Sequence, residues 1–334
     1  MSQRSNRPVR LFRTGAALAS LLLSWPVVAA ESEALDQLAR MSQAAHTLNY
    51  EGTFVYLHGR HVQSVRVVHG VDDKGEHERL ITLSGRAREV IRDNDEVRFF
   101  LPDARLLQAA RGGHPPQLPM FKPPQVERFG HVYQLSLKGR ERVAGREAAH
   151  VAVTPRDNYR YGRGYWIDAA AGLLLRADLI DERGQVVEQV LFTSLELLDA
   201  MPRQSLVPEN SLQDFVVLKP AASEQSSSPE AASWEAQTLP PGFSLELMRH
   251  HTMQGKPGPV EHHVYSDGLA SVSVFIEPPG SGEQEFIGHT RMGAVNAYAR
   301  HAGGSRVVVV GEVPAITVEQ IAGAMRPRSG EGQP

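Results

Sequence analysis

The sequence predicts an α+β chain, mostly antiparallel β, split into a large N-terminal unit and a smaller C-terminal one. Three observations carry that expectation. From Asn49 to about Leu198, short runs rich in Val, Ile, Leu, Phe and Tyr are punctuated by turn residues such as Asp72-Asp73-Lys74-Gly75, Lys138-Gly139 and Ala171-Gly172. Intervals this short suit hairpins, because a parallel crossover needs about a dozen residues or more. Lys219 to Gln237 is rich in Ser, Ala, Glu and Pro and holds almost nothing to bury, so it reads as a linker. Beyond it a second strand pattern begins, with Ser266-Asp267-Gly268 as the turn of a hairpin running from Val260 to Ile276.

The N-terminus carries Arg4, Arg7, Arg10 and Arg13, an apolar run from about Ala16, and Val28-Ala29-Ala30 before Glu31. This is the pattern of a secretory signal peptide, residues 1–30, with cleavage expected after Ala30 and a soluble periplasmic product. The chain has no cysteine, so neither a disulfide framework nor a lipid-anchor thiol is available. Removing the four arginines of the signal segment from 35 basic residues leaves 31 against 38 acidic ones. That balance lacks the basic footprint of a nucleic-acid surface.

Ser32 to Thr47 reads as a helix, with Leu35, Leu38, Met41, Ala45 and Leu48 at near-helical spacing. In the strand region, Tyr133, Leu135 and Leu137 share one face with Gln134 and Ser136 opposite, and Leu173, Leu175, Ala177 and Leu179 alternate with Arg176 and Asp178. One sheet face is therefore expected to be apolar and the other wet. A single helix leaves room on a large concave face, where a lipid-like ligand would fit; the alternative is that side chains fill it.

The segment from Arg111 to Gly130 has five prolines, which exclude a helix interior or a central strand. It nevertheless carries Leu118, Met120 and Phe121 together, so it reads as a stiff loop with an apolar tip, a lid over that face. The alternative is a surface loop tacked to its own domain. Leu118, Met120 and Phe121, with Phe129 and, on the adjoining strand, Tyr133 and Leu135, are the candidates for ligand contact.

The expected boundaries are 31–218 for the large domain, 219–237 for the linker, 238–326 for the small α/β domain and 327–334 for a disordered tail. Trp234 stands out in the linker, either as an anchor onto a flanking domain or as part of a partner surface. The hairpin residues Tyr265, Ser266, Asp267 and Gly268 are the other partner-binding candidates, Tyr265 offering a rigid amphipathic contact. Near the C-terminus a short helix carries a capping-box pattern in Thr317 and Gln320.

Nucleophile-elbow, zinc-protease, phosphate-loop and calcium-loop patterns are absent, and Gly162-Arg163-Gly164 is followed by Ile167 where a dinucleotide fingerprint needs glycine. No enzyme, cofactor or metal is expected. His250-His251 and Glu261-His262-His263 face each other if their strands pair, but neighbours on a strand point to opposite faces, so at most one His of each doublet joins a given site. These histidines are expected at the surface or against a partner, where they would make binding pH-sensitive.

Four strings carry a family resemblance: LNYEGTFVY from Leu48, GYWID from Gly164 with LLLRADLID from Leu173, VYSDGLASVSVFIE from Val264, and VGEVPAITVEQIA from Val310. They resemble the MucB/RseB family of periplasmic sigma-factor regulators, and its MucB branch most. The resemblance implies a half-open β-barrel around a helix, shaped like the lipoprotein carriers LolA and LolB, followed by a small α/β domain. It also implies binding of the periplasmic segment of a membrane anti-sigma factor of the MucA/RseA type, shielding it from proteolysis. Lipopolysaccharide or mislocalised lipoprotein acyl chains would relieve that shielding. A periplasmic lipoprotein or lipid carrier is the competing reading, and homodimerisation is a further assembly compatible with the sequence.

Overall fold

The computed structural model describes residues 25–94, 96–101, 106–111, 128–129, 131–208, 216–218, 225–226, 232–252, 258–278 and 286–328. Most of the signal segment, the lid tip with Leu118, Met120 and Phe121, much of the linker and residues 329–334 lie outside the described residues. Among the described residues no helix is long and apolar enough to cross a membrane.

Helix α1 spans Trp25–Thr47, starting upstream of the expected Ser32. Its buried stripe is Ala34, Leu38, Met41 and Ala44; of the expected set Leu38 and Met41 belong to it, while Leu35, Ala45 and Leu48 are only partly buried. Strands β1 (Asn49–His58), β2 (His61–Asp72), β3 (Gly75–Thr82), β4 (Glu89–Asp93), β5 (Glu96–Leu101) and β6 (Leu106–Arg111) follow as a meander. A second meander comprises β7 (Tyr133–Val143), β8 (Arg146–Pro155), β9 (Gly162–Asp168), β10 (Leu174–Ile180) and β11 (Val186–Leu198). Because β11 returns to pair with β1, the two meanders fuse into one unclosed twelve-stranded sheet, whose far edge is β12 (Val216–Leu218) beside β6. Every neighbouring pair is antiparallel except β12 with β6.

The order of strands places β7 at one edge of this sheet and β6 next to the other. The proline-rich segment therefore joins opposite rims of an open half-barrel. Helix α1 lies against β7, β8 and β2 on the concave face, where Leu38, Met41, Phe54, Tyr133, Tyr165 and Phe192 form part of the main core. Each such side chain contributes roughly 1.5–3 kcal/mol by leaving water.

The expected alternation in β10 is broken. The pairing with β9 slips between Leu174 and Arg176, and this bulge turns Leu175 to the convex face, where it packs with Val143, Ala148 and Trp166. That face is consequently not all wet: the Arg176 guanidinium lies 4.0 Å from the Trp166 ring centroid and the His150 ring stacks on it at 3.9 Å.

The C-terminal unit is built from β13 (Gln225–Ser226), β14 (Trp234–Ala236), β15 (Ser244–Thr252), β16 (Pro259–Ser266), β17 (Ser271–Glu277), β18 (Gly288–Met292), β19 (Val295–Ala302), β20 (Ser305–Gly311), α2 (Ala315–Ala324) and β21 (Met325–Pro327). Seven of the strands form one sheet in the order β13-β15-β16-β17-β20-β19-β18. The alternation read in the sequence holds in β17, where Val272, Val274 and Ile276 are buried beneath Val318, Ile321 and Ala322 of α2.

Three expectations are corrected here. The tail is ordered as far as Arg328, because β21 pairs with β14 and the Arg328 amide donates to Ser233 O at 2.9 Å. The last residues read as linker thus belong to the C-terminal unit, and Trp234 is buried in its core as an anchor. Thr317 makes no capping box: Pro314 occupies the N-cap without a side-chain hydrogen bond, and the Thr317 hydroxyl donates instead to Tyr159 O in the other unit, at 2.6 Å.

Candidate functional site at the domain seam

Rows of paired residues across the concave face show how the seam arises. One row runs Val151, Tyr165, Ala177, Val190, Tyr56 and is apolar or aromatic throughout. The next row towards the rim runs Val153, Arg163, Leu179, Glu188, His58, so charge enters a face that is otherwise core. Charges so placed need cover and partners. Tyr56 Oη donates to Glu188 at 2.7 Å and His58 Nδ1 lies 2.6 Å from the same carboxylate. Arg163 faces Glu312 of the C-terminal unit at 3.7 Å. Burial raises the pKa of the Glu312 carboxyl, an effect that Arg163 partly offsets.

The C-terminal unit closes over this rim. Ala294 and Leu269 pack into the N-terminal core. Gly293, at φ +62°, lies so close to the His58 ring that a Cβ there would come within 2.2 Å of it, which reserves the position for glycine. Asn296 donates to Tyr161 Oη at 3.0 Å and to Val313 O at 2.7 Å, stitching both units through one side chain. Arg128 donates to Ser244 Oγ at 2.7 Å and Ser266 O at 2.8 Å, and pairs with Glu246.

The tightest contact is the hairpin turn itself. Asp267 Oδ1 accepts the amides of Leu269 and Ala270 at 2.8 and 2.7 Å, an arrangement that holds the turn. Its Oδ2 accepts Tyr133 Oη at 2.9 Å and pairs with Arg160. Arg160 in turn donates to both Asp157 oxygens at 3.0 Å and to Pro241 O at 2.5 Å. Its guanidinium lies between the Tyr133 and Phe243 rings, 5.4 and 5.1 Å from their centroids. The Arg160 and Asp267 side chains are both 0% exposed. A dry ion pair is weak evidence for net stability but fixes one geometry, since breaking it strands a charge. Burial, reinforced by Asp267, pushes the Tyr133 phenol well above its usual range, so it remains a donor.

Residues that the sequence assigned to two separate roles therefore meet. Phe129, Tyr133 and Leu135, read as ligand contacts, are packed in the N-terminal core, with the Phe129 and Tyr133 rings 5.1 Å apart. Tyr265, Ser266, Asp267 and Gly268, read as partner contacts, are all buried in this arrangement. Ser266 and Asp267 bond to the N-terminal unit, while Tyr265 packs in the C-terminal core, its Oη 3.1 Å from His263 Nδ1. A free surface at the turn is thus not what the structure provides.

The strands that carry the histidine doublets, β15 and β16, do pair, with His250 opposite Glu261, His251 opposite Val260 and His262 opposite Arg249. The exposure of the histidines is not as expected. His263 is fully buried against Glu261 at 2.6 Å, and His262 stacks on Phe275 at 4.3 Å, with His251 Nε2 3.2 Å from its Nδ1. Burial first, then His251, lowers the His262 pKa to about 4. Among the described residues no group of three or more potential metal ligands comes together.

Arg160, Asp157, Glu188, Glu312 and Asn296 were not singled out in the sequence, and Arg163 was noted only within a dismissed dinucleotide pattern. The available signal was the density of Tyr, Arg and Gly in DNYRYGRGYWID from Asp157, too polar for core and too aromatic for a solvated turn.

Two family models match the chain, the MucB/RseB N-terminal domain over residues 33–210 and the MucB/RseB C-terminal domain over 228–326. The "Sigma-E factor regulatory protein RseB" of Haemophilus influenzae is 30% identical over 90% of this chain and 94% of its own length. The "Sigma factor AlgU regulatory protein MucB" of Pseudomonas aeruginosa is 33% identical, covering 89% of this chain and 92% of its own. Among solved structures, the Pseudomonas aeruginosa MucA/MucB complex has a chain with TM-score 0.72 and 30% identity, covering 89% of this chain and 100% of that one. A crystal structure of MucB in complex with MucA(peri) gives TM-score 0.70 at 31% identity with the same coverage.

Proposed function

The chain belongs to the MucB/RseB family, and we propose that it is a periplasmic negative regulator of an envelope-stress sigma factor. It holds the periplasmic segment of a membrane anti-sigma factor of the MucA/RseA type and shields it from proteolysis. A lipid-like signal, lipopolysaccharide or lipoprotein acyl chains, releases that segment by occupying the concave face of the half-barrel. The observation that carries this reading is the two-unit architecture with its sealed seam, and the likeness to MucB extends over both units, 89% of this chain. A simple lipid carrier has no need of a second domain docked on the rim. The ligand part draws support from the loop that joins opposite rims of the open sheet with an apolar tip.

Titrating lipopolysaccharide into preformed complexes tests both parts. Wild type is expected to release the partner, and Met120→Ser with Phe121→Ser is expected to shift the releasing concentration. A shift downwards means that the closed lid opposed entry; a shift upwards means that the tip contacts the acyl chain. Without ligand, partner affinity should change by less than about 1 kcal/mol, the usual reach of a change away from an interface. If wild type and variant release at the same concentration and bind lipopolysaccharide equally, the loop is no lid. If wild type never releases, the lipid signal is wrong.

A further inference from the structure

Tyr133 belongs to two environments at once. Its ring is 1% exposed in the core of the concave face, against Phe129, while its hydroxyl crosses the seam to Asp267 Oδ2 at 2.9 Å. The other oxygen of that carboxylate holds the amides of Leu269 and Ala270 in the hairpin turn. From this geometry we infer that Tyr133 is the residue through which occupancy of the concave face is transmitted to the C-terminal unit. The inference rests on the proposed apolar ligand of that face.

Turning the Tyr133 ring about χ2 leaves the hydroxyl in place, because the oxygen lies on that axis, but pushing the rigid ring aside requires χ1 and carries the hydroxyl with it. A chain inserted beside Phe129 and Leu135 displaces the ring, and the bond to Asp267 is lost. Asp267 then keeps Arg160 but not its second donor from the N-terminal unit, and the turn it organises loosens. The backbone reinforces the link, because Arg156 Nε donates to Tyr133 O at 3.0 Å, which fixes the main chain and leaves the side chain as the part that moves. A ligand that selects the undocked turn must, by linkage, lose affinity whenever the docked turn is stabilised.

Tyr133→Phe keeps the ring and removes only the hydroxyl. The readout is hydrogen exchange of the peptide carrying the Leu269 and Ala270 amides in the full mature chain, with the fluorescent fatty acid cis-parinarate as probe. In wild type, saturating probe is expected to speed this exchange about tenfold, the scale of one hydrogen bond to a charged group. In Tyr133→Phe the exchange is fast already, the probe adds less than about twofold, and the probe binds several-fold more tightly. A purely structural role for the hydroxyl would loosen the turn but would leave the probe's effect on it intact, so a full probe response in the variant overturns the inference. So does a wild-type turn that stays protected with probe bound, and so does unchanged exchange in the variant without probe. If wild type binds no probe while the variant's turn still loosens, the connection from floor to turn stands and the ligand reading falls.

Discussion

Replacing Asp267 with alanine is expected to cost about 3–5 kcal/mol of unfolding free energy, the range for removing one partner of a buried ion pair. The change takes the only carboxylate from between Tyr133 and Arg160 and unties the Leu269 and Ala270 amides. Arg160 keeps Asp157 and Pro241 O, which places the loss at the lower end of that range. Asp267→Asn retains an acceptor for the turn and should cost less. Trp166 and Trp234 allow the units to be followed separately, Trp166 reporting on the N-terminal sheet and Trp234 on the C-terminal core. Urea unfolding of wild type should give coincident transitions, and Asp267→Ala should separate them as cooperativity across the seam is lost. Coincident transitions in Asp267→Ala with a loss below about 1 kcal/mol would show that the contacts of Asp267 are not what couples the two units.

The elements with a regular period were legible in the sequence. Leu38 and Met41 announced α1, and Val272, Val274 and Ile276 announced the buried face of β17, because a repeat of 3.6 or 2 leaves its mark whatever it packs against. Leu175 was misread since a bulge inserts a residue without changing composition, and only the pairing with Ile167 and Trp166 reveals the slip. β14 and β21 were missed for a related reason. Each is three residues long, too short for a period, and each is a strand only because the other lies beside it. The prolines after Arg111 mark that segment in the sequence, but that the strands flanking it sit at opposite rims is a property of the order of strands, which no local pattern encodes.

The site divides in the same way. Asp267 was noticed as a turn former and Tyr133 as an inward face, both local facts. That they touch is a contact between residues 134 positions apart. Arg163 and Glu188 are harder still, since a charged residue in a strand is ordinarily assigned to the wet face. Here they lie on the inner one because a second domain arrives to cover them, and nothing within either strand anticipates its arrival.

Glu261 supplies the second large effect, and it is a function of pH. Its carboxylate accepts both the Ser233 and Trp234 amides at 3.1–3.2 Å, the Ser233 hydroxyl, and His263 Nε2 at 2.6 Å. It is thus the clamp that pins the end of the linker to the C-terminal sheet. Burial pushes the carboxyl up, but the hydrogen bonds from His263 and Ser233 outweigh it and hold the pKa at about 2, against an ordinary 4.5. A carboxyl depressed in the folded state contributes stability that is fully present above the unfolded value and is lost as pH falls through the folded one. Between about pH 4.5 and pH 2 the C-terminal unit is therefore expected to lose about 3 kcal/mol from this group alone. Glu261→Gln should flatten that part of the acid limb and, at neutral pH, start from a stability lower by a similar amount, with Trp234 emission shifted to the red as the pinned segment lifts. Urea midpoints for both proteins across that window, read at Trp234, measure the difference. Parallel acid limbs for wild type and Glu261→Gln would mean that the segment is held by β14 and β21 pairing and the Trp234 side chain, with Glu261 contributing no proton-linked stability.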